Sequence, residues 1–302
     1  MLPRLNFAFQ TTYPFVKWSE HQSTSLDFVI KTKGKFSYTD EGNGEAIILL
    51  YGLFGSVNNY KTVIQHFKTT HRVIVPMLPI YDLGINISVS ALTGYVTDLI
   101  NFLELKQVHV VGNSLGGHIA LLYTLQNQEK VKSLTLVGSS GLFENGMGDS
   151  YPKRSDYEYI KRKAETTFYK PETASKELID EIYATVNNRI KALQILYLAK
   201  STIRYNLKNE LHKITCNCCI IWGKKDAVTP PCVAEEFHQY IPHSSLWWID
   251  NCGHVPMLET PDEFNSILSN FYNQLSLQKT SLNTEASYFT NVAFLLRKVF
   301  YD

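Results

Sequence analysis

The 302-residue chain has few cysteines, almost no net charge and no long apolar run. Its five cysteines are an odd number, which argues against a disulfide framework in a chain of this size. The formal net charge is +1 and no long basic stretch occurs, so neither nucleic acid nor a strongly anionic partner is indicated. No apolar stretch approaches the roughly 20 residues needed to span a bilayer, so no membrane partner is expected.

The first residues lack the pattern of an export signal. Such a signal needs an unbroken apolar core after its basic residues, whereas polar side chains follow Arg4 at positions 6 and 10–12. We therefore expect a cytoplasmic protein in which residues 1–25 form an N-terminal extension. The composition, 44% hydrophobic and 19% charged, is that of a globular protein.

Three of the cysteines lie close together, at Cys216, Cys218 and Cys219. A cluster of this kind can belong to a zinc site, but a tetrahedral site also needs a second ligand pair at a suitable spacing. The three residues lead into the apolar run Ile220-Ile221-Trp222, where free cysteine acts as a small hydrophobic residue. We predict a strand here and no metal.

Short apolar runs alternate with helical patterns over most of the chain. The runs are uninterrupted and end at turn residues, which is typical of strands buried on both faces of a parallel sheet. They cover residues 46–50, 72–75, 108–111, 134–137, 219–222 and 246–249, and two further short strands joined by a turn at Gly34 are predicted at 26–30 and 35–38. Apolar residues recur at three- and four-residue steps in segments 91–104, 116–126 and 261–275. This alternation predicts an α/β fold with a mostly parallel central sheet flanked by helices.

One region breaks the alternation. Residues 142–214 contain no strand-like run and instead show helical stretches around 155–168, 173–186 and 188–206. We interpret this region as a helical insertion that divides the α/β core into residues 26–141 and 215–275. Residues 276–302 form a C-terminal extension whose apolar end could be an amphipathic helix.

The strongest motif is the pentapeptide that begins at Gly112 and ends at Gly116, with Ser114 at its centre. It follows a predicted strand and precedes a predicted helix, which is the setting of a Gly-x-Ser-x-Gly nucleophile elbow. The serine must adopt a strained conformation there, and the two glycines remove side chains that would collide with the neighbouring turns. Ser114 is therefore the candidate nucleophile.

A serine hydroxyl needs a base that removes its proton, and His254 is the candidate. It lies on a loop after the strand at 246–249, at the edge of the sheet where an active site is expected. Asp226, just past the strand at 219–222, is the preferred acid that would orient the imidazole. Asp250, four residues before His254, is the rival acid.

An acyl-transfer site also needs backbone N–H donors for the oxyanion. The amide of Leu115, directly after the nucleophile, is one candidate. The other should come from the loop after the strand at 46–50, where we assign Leu53, with Phe54 as the fallback. Phe54 and Val255, in the loops beside these groups, are the candidate substrate contacts.

Four motifs together resemble the α/β-hydrolase superfamily, over about residues 26–275. They read GNSLGG at the elbow, GKKDAVTP at the acid, NCGHVPMLETPDEF at the histidine and LLYGLFGS at the oxyanion loop. The resemblance implies a helical cap over the pocket, which fits residues 142–214, and no need for a cofactor. The oxyanion loop departs from the usual His-Gly, because Tyr51 precedes Gly52 here, and its hydroxyl could take over the hydrogen bonds of the histidine.

These features predict a serine hydrolase that cleaves a small ester, lactone or similar carbonyl compound through an acyl-enzyme. A carbon–carbon bond hydrolase on the same triad is the second possibility. A ligand-binding or signalling protein with the same fold and little turnover is the third, because the fold alone does not decide function. In each case the partner is a small molecule.

Overall fold

A computed structural model of the chain describes residues 28–145 and 153–278. Within these residues the centre of the molecule is an eight-stranded sheet. In chain order, its strands are β1 (Lys31–Lys33), β2 (Phe36–Glu41), β3 (Glu45–Leu50), β4 (His71–Pro76), β5 (Val108–Asn113), β6 (Val131–Val137), β7 (Asn217–Gly223) and β8 (Ser244–Ile249). They lie in the order β1-β2-β4-β3-β5-β6-β7-β8. The β1–β2 and β2–β4 pairs are antiparallel, and all other neighbouring strands pair parallel. The predicted fold class is confirmed.

Helices flank the sheet. Their bounds are α1 (Lys61–Phe67), α2 (Val89–Phe102), α3 (Leu115–Gln126), α4 (Tyr157–Glu165), α5 (Lys176–Asn187), α6 (Arg189–Arg204), α7 (Pro231–Tyr240) and α8 (Pro256–Glu259), followed by α9 over residues 261–278. The sequence pattern identified six of them and missed α1, α7 and α8. Helices α1 and α8, at seven and four residues, repeat an apolar face too few times to reveal the helical period. Length does not explain the miss of α7, which is one residue longer than the identified α4.

The first predicted strand is wrong. Residues 28–30 are not in a strand, residues 26 and 27 lie outside the described part of the chain, and β1 begins at Lys31. The apolar character of Phe28 reflects packing, since its side chain is buried in the core. Conversely, the three residues of β1 are all exposed on the outermost strand, so no apolar signal marks them.

The central strands are buried on both faces, as predicted, and β8 is not. Ile47, Ile48 and Leu49 in β3 are inaccessible to solvent, whereas Trp247 in β8 is 36% exposed. The reason is position: β8 lies beside β7, and the described residues place no strand on its other side. Its aromatic residues are therefore only partly covered, although their pattern resembles that of a central strand.

Helices α4 to α6 follow β6 and precede β7, where the helical insertion was predicted. The N-terminal extension and the proposed amphipathic helix near the C-terminus lie outside the described residues. Among the helices within residues 28–145 and 153–278, none combines the length and apolar character that crossing a bilayer requires.

Candidate active site

Ser114 occupies a strained turn between β5 and α3. Its φ is 55° and its ψ is −121°, and within the described residues Glu104 is the one other non-glycine residue with positive φ. Such a conformation costs on the order of 1–3 kcal/mol and persists only where its surroundings hold it. Here the Ser114 amide donates to the carbonyl of Val137 at 3.1 Å, and the Ser114 carbonyl accepts from the amides of Gly117 and Ser140 at 2.9 and 3.1 Å.

The two glycines of the elbow are needed for close packing. A Cβ atom on Gly112 would overlap the backbone of Gly116, and one on Gly116 would overlap the carbonyl of Leu50 in β3. The turn is therefore packed closely against β3, the strand that precedes the predicted oxyanion loop.

The structure brings His254 and Asp226 together. Nδ1 of His254 lies 2.8 Å from Oδ2 of Asp226, and both side chains are buried, at 6% and 0% exposure. Each residue follows a parallel strand, Asp226 after β7 and His254 after β8, so the two loops meet at the carboxyl edge of the sheet. This buried pair holds the imidazole in one orientation.

The Asp226 carboxylate is fixed by donors from its own loop. Its Oδ1 accepts from the amides of Val228 and Thr229, at 2.8 and 2.9 Å. Its Oδ2 accepts from the Thr229 hydroxyl at 2.7 Å, in addition to His254. Thr229 was not predicted from the sequence, although the contact of Asp226 with the amide two residues on is a common local turn.

Asp250 lies elsewhere. It is exposed and pairs with Lys224, with 2.6 Å between Nζ and Oδ1, and this contact holds the pKa of the Asp250 carboxyl below its usual value. The geometry therefore favours Asp226 over Asp250 as the partner of His254.

Asn113 links the nucleophile to the histidine loop. It directly precedes Ser114, and its side-chain amide donates to the carbonyls of Val137 and His254, both at 3.0 Å. Gly138, with φ of 48°, leaves room at the same place: a Cβ atom there would lie 2.9 Å from Nδ1 of His254. Neither residue was singled out from the sequence, because both act through loops that are distant along the chain.

Glu259 in α8 organises the histidine loop from the other side. One of its oxygens accepts from the amides of Gly253 and Val255, at 3.0 and 3.3 Å, and the other accepts from the amide of Tyr169 at 2.7 Å. Two backbone segments around His254 are thereby tied to one carboxylate. Val255, a predicted substrate contact, is itself buried at 5% exposure.

The predicted oxyanion loop lies against the nucleophile. A Cβ atom on Gly52 would be 3.0 Å from Cβ of Ser114, and the amide of Gly55 closes the turn by donating to the Gly52 carbonyl at 3.0 Å. Leu53 and Phe54, both half-buried, form the tip of this turn. The amide of Leu115 opens α3, where first-turn N–H groups have no partner within the helix.

Tyr51 braces this loop in place of the usual histidine. Its buried hydroxyl accepts a hydrogen bond from the backbone amide of Leu78 at 2.7 Å. Burial raises the pKa of the Tyr51 phenol, so the group stays neutral. The contact joins the segment after β3 to the segment after β4, which lies on the far side of β3 from the elbow strand.

We expect Tyr51→Phe to slow catalysis without preventing folding. The change leaves the buried Leu78 amide unsatisfied, at a cost of about 1–3 kcal/mol, and loosens the loop that carries Leu53. We expect kcat on an ester to fall roughly tenfold with little change in KM. Steady-state kinetics and thermal unfolding check this, with Tyr197→Phe, at an exposed position of α6, as the control. An unchanged kcat would show that the hydroxyl only stabilises the fold.

The clustered cysteines belong to the core. Cys218 and Cys219 are buried in β7, and burial raises the pKa of the Cys219 thiol to about 12. Over the ranges that the structure describes, no group of three or more potential metal ligands occurs.

Comparisons with known proteins agree with this architecture. A family model described as the alpha/beta hydrolase fold matches residues 45–261. An alpha/beta hydrolase enzyme from the metagenome of lagoon sediments at Mar Chica, Morocco, is 38% identical, with a TM-score of 0.69 over 82% of this chain and 98% of the other. Lipase 1 of Psychrobacter immobilis is 26% identical over 85% of this chain and 87% of its own length. A 2-hydroxy-6-oxononadienedioate/2-hydroxy-6-oxononatrienedioate hydrolase of Comamonas testosteroni is 24% identical over 83% of this chain and 97% of its own length.

Proposed function

The chain belongs to the α/β-hydrolase fold family, and from this premise we propose that Ser114, His254 and Asp226 form its catalytic triad and cleave a small ester or lactone. Its lipase and hydrolase relatives support a serine hydrolase that acts on a small molecule. The assignment of the three triad residues and the choice of an ester or lactone substrate are our proposals.

The observation that carries the proposal is the buried pair of His254 and Asp226 joined through Asn113 to the strained Ser114. Burial of His254 and Asp226 costs stability unless their polar atoms are paired, and strain at Ser114 costs more. Such costs are typical of catalytic sites.

The proposed chemistry uses each group once in each half-reaction. The His254 imidazole removes the proton of the Ser114 hydroxyl while Oγ of Ser114 bonds to the substrate carbonyl carbon. The tetrahedral intermediate collapses when His254 returns that proton to the leaving alkoxide, and the ester C–O bond breaks to give an alcohol and an acyl-enzyme. Water then attacks the acyl-enzyme by the same route and releases the acid. Asp226 holds the imidazole and stabilises its charged form throughout.

Two backbone amides are proposed to stabilise the oxyanion, those of Leu53 and Leu115. Support comes from the packing of Gly52 on Ser114 and from the position of Leu115 at the first turn of α3, where the helix dipole favours negative charge. Phe54, at the tip of the same turn, is proposed as a substrate contact.

Residues 142–214 are proposed to be the cap that covers this site. Supporting contacts join α6, and Tyr205 directly after it, to the core. Nε2 of His118, in α3, donates to the carbonyl of Tyr205 at 2.9 Å. The amide of Val89, the first residue of α2, donates to the Ser201 hydroxyl at 3.0 Å. Burial lowers the pKa of His118 to about 4, so this imidazole is neutral at pH 7 and serves as an anchor. A further contact links the same region to the histidine loop: the His254 amide donates to the carbonyl of Thr167, between α4 and α5, at 2.9 Å.

One observation favours a second candidate, carbon–carbon bond hydrolysis: the Comamonas relative, whose name describes hydrolysis of a dienedioate. A turnover screen separates the possibilities. We expect nitrophenyl esters of graded acyl length to be hydrolysed, with the shorter chains preferred. Cleavage of a 2-hydroxy-6-oxo-dienoate without ester hydrolysis would establish the second candidate instead. Binding of either substrate class without turnover would indicate a ligand-binding protein.

A further inference from the structure

The Thr229 hydroxyl lies between the acid and the base of the proposed triad, and the mechanism gives it no role. It donates to Oδ2 of Asp226 at 2.7 Å, and its oxygen is 3.3 Å from Nδ1 of His254. In the tautomer that the proposed mechanism needs, Nδ1 carries a proton and donates to the same Oδ2 at 2.8 Å. All three residues are buried, and Thr229 is inaccessible to solvent. One carboxylate oxygen therefore accepts from the hydroxyl and from the imidazole, away from bulk water.

The backbone of Thr229 keeps its hydroxyl at this oxygen. The Thr229 amide donates to Oδ1 of Asp226 at 2.9 Å, and the Thr229 carbonyl accepts from Nε1 of the buried Trp222, in β7, at 2.9 Å. Pro230 follows, and the residue before a proline is restricted to extended backbone. Threonine is also β-branched, which limits rotation about its Cα–Cβ bond. The hydroxyl is thus held in one place by its own main chain.

The Asp226 carboxylate has other contacts that hold it in position. Its Oδ1 accepts from the amides of Val228 and Thr229, and a change of the Thr229 side chain leaves both donors in place. What the hydroxyl adds is a hydrogen bond to the ionised form of the other oxygen, which lowers the affinity of that oxygen for a proton. Oδ2 then attracts a protonated imidazole less strongly, so His254 releases its second ring proton at a lower pH.

From these contacts we propose that Thr229 is a positioning residue that acts through Asp226 and extends the working range of the His254 base toward acidic pH. The inference rests on the proposed triad, in which hydrolysis requires a neutral His254. Without the hydroxyl, Oδ2 stabilises the imidazolium more strongly. A larger share of the enzyme is then inactive at mildly acidic pH.

Other titratable groups near His254 lie outside the acid loop. Glu144, between β6 and α4, interacts electrostatically with His254. Glu259 of α8 accepts from the amides on either side of His254, and Cys252 lies two residues before it. A substitution at Thr229 leaves all three groups in place. A changed pH dependence in such a variant therefore reports the loss of the Thr229 hydroxyl.

The test is the pH dependence of kcat/KM for hydrolysis of nitrophenyl butyrate by the full chain. Thr229→Val removes the hydroxyl and keeps the backbone amide and the shape of the side chain. We expect the midpoint of the acid limb to move upward by about half a pH unit to one unit. Since one pH unit is a factor of ten on this limb, the rate below the midpoint should fall roughly three- to tenfold relative to the alkaline plateau of the same variant.

Two matched variants isolate the hydroxyl. Thr229→Ser keeps it and should leave the midpoint where the natural chain has it. Thr135→Val makes the same chemical change at a buried position of β6, where the threonine hydroxyl has no hydrogen bond within the described residues, and should not move the midpoint either. A midpoint that stays in place or moves downward in Thr229→Val would overturn the inference. A purely structural role would lower the thermal stability and the plateau rate alone.

A further variant keeps the outcomes distinct. Thr229→Cys serves if Thr229→Val fails to fold: its thiol is a weaker donor, so the midpoint should again move upward, by a smaller amount, and an unmoved midpoint counts against the inference. If the natural chain shows no Ser114-dependent hydrolysis, or no loss of rate at acidic pH, the proposed function fails. If its hydrolysis depends on Ser114 and falls at acidic pH, but the midpoint ignores Thr229, the inference alone fails.

Discussion

Replacement of Ser114 with alanine is expected to reduce ester hydrolysis by roughly 10⁴-fold or more, the loss seen when a triad serine is removed in other serine hydrolases. The variant retains the oxyanion donors and the pocket, so a small residual rate over water should persist. The fold should be unaffected, because the Ser114 side chain makes no hydrogen bond that caps α3. Loss of a β-hydroxyl at a strained position changes the backbone little.

The measurement is kcat/KM on a short nitrophenyl ester, together with labelling by a fluorophosphonate probe. The probe should modify the natural chain at Ser114, located by peptide mapping, and should leave Ser114→Ala unmodified. Ser269→Ala, in α9, is the matched control and should behave as the natural chain does. A label on another residue, or a variant that keeps its activity, would refute the assignment of the nucleophile.

Asp226→Asn is expected to lose three to four orders of magnitude in rate, by the mechanism known for triad aspartates. The structure explains why the loss should be large. The amides of Val228 and Thr229 both donate to Oδ1, so an asparagine must place its carbonyl oxygen there. Its NH₂ group then occupies the position of Oδ2 and faces Nδ1 of His254.

The consequence is the wrong tautomer of the imidazole. An NH₂ group donates, so Nδ1 must accept, and the ring proton moves to Nε2. A His254 protonated at Nε2 has no lone pair with which to take the serine proton. The substitution should therefore lower kcat strongly while the midpoint of thermal unfolding changes little.

Asp250→Asn is the matched control for this prediction. Asp250 is exposed and its partner is Lys224, so its replacement should change the rate less than about twofold, as expected for a surface ion pair. The comparison uses kcat/KM of both variants on the same ester. If Asp250→Asn were the more damaging change, the two aspartates would exchange roles.

The proposed cap also has a clear link to the site. His254 itself donates through its amide to Thr167, and Glu259 joins the histidine loop to Tyr169. Movement of the helices that flank Thr167 and Tyr169 would therefore shift His254, the proposed base.

Local chain properties were sufficient to predict strands β2 to β8 and the order of the motifs, but not β1. Apolar runs with glycine boundaries predicted β3 to β7 to within a few residues, because a strand buried on both faces must be continuously apolar. The elbow was readable for a similar reason, since only a particular spacing of glycine around Ser114 allows that turn. Short helices such as α1 and α8 were missed because seven and four residues are too few to show the helical period.

What the sequence by itself determined was the fold class, the predicted nucleophile and a short set of partners for it, all of which depend on residues close together along the chain. Only the tertiary structure shows that Asp226, which the sequence already favoured, and not Asp250 contacts His254, because both follow apolar strands and their distance from His254 depends on how β7 and β8 pair. The same holds for Tyr51, whose hydroxyl contacts the amide of Leu78 across two loops. Contacts between distant segments arise from packing of the whole sheet, and no local pattern encodes them.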